Sequence, residues 1–154
     1  MTRDEFFRVG QTVTLGSHKF EPDAIIAFAK KFDPQPFHLS EEGGKKSVFG
    51  ALCASGWHTA STWMKLNVAH GIANPGNWMG DGPAPVVTVS PGFTNLKWLK
   101  PVFAGETITY TRTATGLRPL ASRPGFHMLM LHSEGFDSTG DKVIEFDNSA
   151  LVKG

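Results

Sequence analysis

Asp33 and His38 stand five positions apart in the segment Phe28-Ala-Lys-Lys-Phe-Asp33-Pro34-Gln35-Pro36-Phe37-His38. An imidazole hands a proton on near neutral pH, and a carboxylate accepts or orients one. Pro34 and Pro36 each lock their own φ and restrict the residue before them, so the loop between the pair is stiff. Two side chains on such a loop converge on one water molecule at little ordering cost. The same residues also fit a purely structural part. Asp33 would then open an Asx turn ahead of Pro34, and His38 would fill a half-buried gap.

Seventeen residues beyond His38 comes Ser55-Gly56, at the point where a helical stretch begins. The first amides of a helix lack intrahelical partners, and that end of the dipole is positive. Gly56, with no side chain, would let a ligand approach the backbone. An oxyanion held there gains a donor whose removal typically costs about 2.7–4 kcal/mol in the transition state. The structural alternative makes Ser55 an ordinary N-cap, a contribution of about 1 kcal/mol, and Gly56 a packing residue.

Other candidates carry less. Cys53 and His58 are five apart on a helix and do not face each other, so the thiol reads as a small buried side chain. Ser55, His58 and Asp33 have the residue types of a hydrolase triad but lack the Gly-x-Ser-x-Gly elbow. His127 and His132 share a strand at odd separation, hence on opposite faces, which speaks against a joint metal site. Gly80-Asp-Gly lacks phosphate-loop spacing. Met128 and Met130 share one strand face and read as core.

The elements that must position these groups follow from pattern. Residues 11–20 are rich in β-formers. Pro22 and Asp23 open a helix in which Ile25, Ile26, Phe28, Ala29 and Phe32 form the apolar stripe, and Pro34 ends it. Residues 40–46 read as one polar turn. From Cys53 to about Val68 apolar residues lie on all sides, the mark of a buried helix. Residues 69–85, with four Gly and three Pro, read as a loop excursion. Strands are expected over Val86–Val89, Gly92–Leu99, Glu106–Leu117, Gly125–Asp137 and Lys142–Val152. Threonine at every second position from Thr107 gives the clearest period of two. The order implies an α+β domain in which a curved antiparallel sheet wraps one apolar helix.

The 154 residues, 40% hydrophobic with twelve Phe and four Trp, fit one domain with a substantial core. A formal net charge of +1 gives no general pull toward nucleic acid or an anionic membrane. The lone Cys53 excludes an internal disulfide and a cysteine-based zinc cage. Met1-Thr-Arg-Asp-Glu-Phe-Phe lacks the apolar run of a secretory leader, so a cytoplasmic protein is expected.

Phe28-Ala together with Asp33-Pro-Gln-Pro-Phe-His38-Leu-Ser-Glu-Glu resembles the hydratase signature of MaoC-like dehydratases, including (R)-specific enoyl-CoA hydratases. Val9-Gly10-Gln11, Ser55-Gly56 and Leu96-Lys-Trp-Leu-Lys-Pro101-Val-Phe-Ala-Gly105-Glu resemble further blocks of that family, in order, over nearly the whole chain. The resemblance implies one hotdog domain over 1–154. It implies a homodimer or higher homo-oligomer and an acyl-CoA substrate, with CoA entering only as part of the substrate and no metal or other cofactor. The reaction implied is reversible hydration of an enoyl-CoA. Asp33, His38 and the Gly56 amide would be catalytic, and Ser55, Trp57 and Phe37 would bind substrate. An acyl-CoA thioesterase and a non-catalytic acyl-thioester-binding protein are the alternatives. Three positions depart from the pattern: Gln35 replaces the usual Asn, Ser55 the His before the glycine, and Met64 a serine found in some members. Trp57, Trp63 and Trp78 would reshape the acyl pocket.

Overall fold

The chain was analysed as a computed structural model, which describes residues 1–154. In order, the elements are α1 (Arg3–Phe6), β1 (Thr12–Lys19), α2 (Pro22–Phe32), α3 (Pro36–Leu39), α4 (Glu41–Lys45), α5 (Gly56–Ala73), β2 (Val86–Val87), β3 (Gly92–Trp98), β4 (Thr107–Pro119), β5 (Phe126–Phe136) and β6 (Lys142–Lys153). The strands form one antiparallel sheet in the order β1-β4-β5-β6. Both β2 and β3 pair with the remaining edge of β6, β2 opposite Val152 and Lys153 and β3 opposite Ile144 to Ser149.

The threonine alternation does what its period requires. Ile108 and Tyr110 of β4 point inward and are fully buried, while Thr109 and Thr113 bond Ser17 and Thr12 of β1 across the strands at 2.7 Å each. Register shifts at Thr14/Gly16, Ala114/Gly116 and Thr94/Lys97 curl the sheet, since an extra residue on one strand bends it and raises its twist. The concave face holds Leu15, Phe20, Ile25, Leu52, Trp63, Ile108, Tyr110, Ile144 and Phe146 as one core. Tyr110 donates its phenol proton to the Thr59 carbonyl at 2.8 Å, tying α5 into that face. The alternation corrects one expectation. Met128 and Met130 lie on the face opposite the buried Leu129 and Leu131, and Met130 is exposed.

Helix α5 departs from expectation in two ways. It runs on through Gly71 to Ala73 and stops where Pro75 denies Asn74 helical geometry, so the loop begins at 74 and not at 69. It is also buried on one face only. His58, Thr59, Thr62 and Trp63 face the sheet, whereas Trp57, Met64, Val68 and Ile72 are 49%, 47%, 51% and 77% exposed. Their spacing of seven, four and four places them on a single stripe. One curled sheet covers half of a helix, and the half left uncovered here carries an apolar stripe of its own. Strand β2 is likewise shorter than expected: the regular ladder covers only Val86 and Val87, although Thr88 N–H still donates to Leu151 C=O at 2.8 Å and Val89 C=O accepts from Leu151 N–H at 2.7 Å.

Candidate functional site

The site lies where three segments meet. Helix α2 ends at Phe32, and Pro34 holds Asp33 out of the helix at φ −155°. Pro36 then occupies the first position of α3, a single helical turn that was expected to be loop, and carries His38 on its last turn. The third segment, Leu52 to Ser55, is extended. Cys53 N–H donates to Phe37 C=O at 3.1 Å, and Ala54 N–H to Val102 C=O at 2.8 Å, so this segment is pinned between α3 and the strand entering β4. Gly43 and Gly44 let α4 close over it. A Cβ at Gly44 would lie 2.2 Å from Leu52 N, and one at Gly43 would lie 2.1 Å from Pro36 O.

His38 is 6% exposed. Its Nδ1 lies 2.6 Å from the Cys53 carbonyl oxygen, which can only accept, so Nδ1 carries the proton. In its neutral form the ring presents the lone pair of Nε2, and Nε2 lies 3.3 Å from Asp33 Oδ2. Two acceptors at that distance do not bond each other. They are bridged by a proton on the ring or by a molecule that donates to both, as water does. Asp33 accepts from Ser55 Oγ at 2.7 Å on Oδ2 and from Gln35 Nε2 at 2.6 Å on Oδ1. Burial pushes the Asp33 carboxyl upward, but the Ser55 and Gln35 donors, with His38 beside them, outweigh burial and hold it below the usual aspartate range.

Gly56 is the first residue of α5, and its N–H has no acceptor in the protein. Trp98 lies against it. The indole Nε1–H donates to Gly56 C=O at 3.0 Å, and a Cβ at Gly56 would sit 2.4 Å from the ring. Asp33, His38 and Gly56 line one cavity of about 530 Å³ with Phe37, Trp57, Trp98 and Lys100. Phe37 packs edge-on to His38, with centroids 4.5 Å apart. Phe32 and Trp57 also wall a second cavity of about 720 Å³, strongly apolar and lined by Phe28, Trp63, Met64, Phe93 and Phe146.

Of the six residues singled out in the sequence, five therefore share one cavity. The sixth, Ser55, is fully buried and does not line it, because its hydroxyl donates to Asp33 and accepts from Trp57 N–H at 3.2 Å. Sequence reasoning missed the Cys53 carbonyl, the Gln35 donor and Trp98. A backbone carbonyl has no sequence signal, and Trp98 reaches Gly56 from 42 positions away. Cys53 is no nucleophile, since burial, with Asp33 nearby, pushes its thiol up to about 11. His58 stacks on Phe28 at 4.6 Å, and burial pushes it down to about 4, so it is a neutral core ring. Trp78 packs on Phe6, outside both cavities. His127 and His132 do face opposite sides of β5, and the ligand atoms of His132, Glu134 and Glu145 gather within 4.8 Å on the outer side. Lys142 Nζ already sits among them, 2.6 Å from Glu134 and 2.8 Å from Glu145.

The family model described as "MaoC like domain" matches residues 5–124. The chain belongs to the MaoC-like family. Its curled antiparallel half-barrel with a helix is the hotdog fold of the MaoC-like dehydratase from Rhodospirillum rubrum, 33% identical over 94% of this chain and 92% of that one, with a TM-score of 0.77. The (R)-hydratase from A. caviae involved in PHA biosynthesis is 25% identical over 94% of this chain and 95% of that one, with a TM-score of 0.66. A curated relative from Bacillus subtilis (strain 168), the uncharacterized protein YdeM, is 28% identical over 99% of both chains. Membership and the (R)-hydratase likeness support a hydratase or dehydratase activity in general. No helix of the chain is long and apolar enough to cross a membrane.

Proposed function

We propose that this MaoC-like protein catalyses the reversible addition of water to the 2,3 double bond of an enoyl-CoA, giving a 3-hydroxyacyl-CoA. The observation that carries the reading is the pairing of two facing acceptors, His38 Nε2 and Asp33 Oδ2, with an unbonded Gly56 amide in the same cavity. A water donating both hydrogens to the pair turns a lone pair toward C3 of the bound thioester. As its oxygen bonds to C3, one proton passes to the pair, the double bond shifts toward C1, and the thioester oxygen becomes an enolate. The Gly56 N–H and the positive end of α5 stabilise that charge. The pair then returns a proton to C2 from the same side. Water is added whole and no electron changes hands, so the chemistry needs neither metal nor redox cofactor.

Phe32 and Trp57 stand between this cavity and the apolar one, which makes the apolar cavity the place for the acyl chain. The exposed stripe of α5 fits a second copy of the chain, and the working form on this reading is a homodimer or larger homo-oligomer in the cytoplasm.

The test is turnover of short, long and branched enoyl-CoAs, followed by loss of the enoyl absorbance. Disappearance of absorbance without release of free thiol is expected. Thiol release without hydration would make the protein a thioesterase, and tight CoA-ester binding without turnover of any of them would make it a binding protein.

A further inference from the structure

We infer that Ser55 is a positioning residue of this site, tying the carboxylate that holds water to the helix turn that holds the oxyanion. The inference rests on the hydratase reading above and deepens it. Ser55 is the N-cap of α5, fully buried, and its hydroxyl has one proton to give. The oxygen accepts from Trp57 N–H in the first turn, which leaves the proton aimed at Asp33 Oδ2. That oxygen is the one facing His38 Nε2. One side chain therefore joins the frame that presents the Gly56 amide to the atom that presents the water.

The consequence is geometric and electrostatic. Asp33 sits beyond the end of α2 and reaches α5 only through this bond, because its other donor, Gln35, belongs to its own loop. Without the Ser55 hydroxyl the carboxylate keeps one donor and is free to rotate away from His38. Water and thioester carbonyl are then held by two pieces that move separately, and misplacement on the order of 1 Å costs about 100-fold in rate. Losing a donor to the charged form also raises the carboxyl group's pKa.

A plain capping role makes a different forecast. Ser→Ala at an N-cap costs about 1 kcal/mol of stability and Ser→Gly only a few tenths. Capping alone would thus separate Ser55→Ala from Ser55→Gly and leave Asp33 untouched. The positioning role makes the two variants alike.

The experiment titrates the Asp33 side-chain carboxyl by carbon NMR in wild type, Ser55→Ala and Ser55→Gly, and measures the pH profile of enoyl-CoA hydration for all three. The expected result has the Asp33 midpoint rising equally in both variants and the acid limb of kcat/KM moving up with it. kcat should fall by about 10- to 100-fold, with KM within about twofold. An unmoved midpoint in either variant, or a kcat within about twofold of wild type, overturns the role of Ser55 while leaving the hydratase reading in place. A wild type that hydrates no enoyl thioester, at whatever midpoint, removes both.

Discussion

Two histidine–aspartate pairs occupy this molecule, and only one of them lines either of the two cavities. His132 Nδ1 bonds Asp147 at 2.7 Å, closer than His38 comes to Asp33 at 3.3 Å. By contact alone His132 would be the better pair. It lies on the outer face of the sheet, about a third exposed, in a lattice of Glu134, Glu145 and Lys142 in which each charge has a partner. His38 is buried, its tautomer is set by a backbone carbonyl, and its free nitrogen faces a carboxylate that it does not bond directly. An unmade bond lining a cavity, next to an unbonded amide, is what leaves room for a reactant. The closer pair has its valences filled by its neighbours.

The largest expected effect comes from exchanging the pairs in the same assay. Asp33→Asn or His38→Ala should lower enoyl-CoA hydration by about 10²–10⁴-fold, the usual contribution of positioned acid–base groups. Asp147→Asn and His132→Ala should leave kcat/KM within about twofold. A large loss in the second set, or none in the first, would reverse the ranking of the two regions.

Next in size is Gly56→Ala. The new methyl meets the Trp98 ring at 2.4 Å, so either the first turn of α5 or the indole must move. Displacing one oxyanion donor typically lowers kcat by about 10²–10³-fold. Gly56→Ala combined with Trp98→Ala should recover part of that loss. Steady-state kinetics of the single and double variants check it, and no recovery would mean that Trp98 is not the obstacle.

The pairs should also differ in how pH acts on stability. Asp33 is held below its ordinary value, against the push of burial, by Ser55, Gln35 and His38. Asp147 is held low by Asn95 and His132. A carboxyl depressed in the folded state contributes stability that is present above its unfolded pKa and lost as pH falls through the folded one. Asp33→Asn should therefore destabilise at pH 7 by about 1–2 kcal/mol, with the gap closing below about pH 4. Urea melts at pH 7 and pH 3 read the difference directly. For the more exposed Asp147 the same change should be several-fold smaller.

The smallest effect is expected at Lys142→Met. Partly exposed ion pairs are worth about 0.2–1 kcal/mol, and removing the ammonium leaves Glu134 and Glu145 facing one another. A loss of up to about 1 kcal/mol in urea melts, with hydration rate unchanged, is the outcome that keeps the outer cluster structural.

Much of the fold was readable because its signals are local. The threonine period marks β4, and the proline at Pro22 opens α2. Asp33, His38 and Gly56 were readable as candidates because their residue types and spacing sit beside prolines and a helix start, and the fold brings all three to one cavity. Three things were not. The His38 turn of helix was hidden by Pro34 and Pro36 ahead of it, since prolines signal a break as readily as an N-terminus. The second apolar stripe of α5 looked like burial, since a sequence records that a side chain avoids water but not what covers it. The part played by Ser55 depended on a carboxylate 22 positions away.

Taken alone, the chain's order of residues determined which groups could move a proton, where the backbone had to bend, and which strands alternate, because each of these is settled within a few peptide units. Tertiary structure decided which nitrogen of His38 is free, which donors reach Asp33 and which ring shields Gly56. Those depend on distances across the curl of the sheet, and such distances exist only once the core has closed.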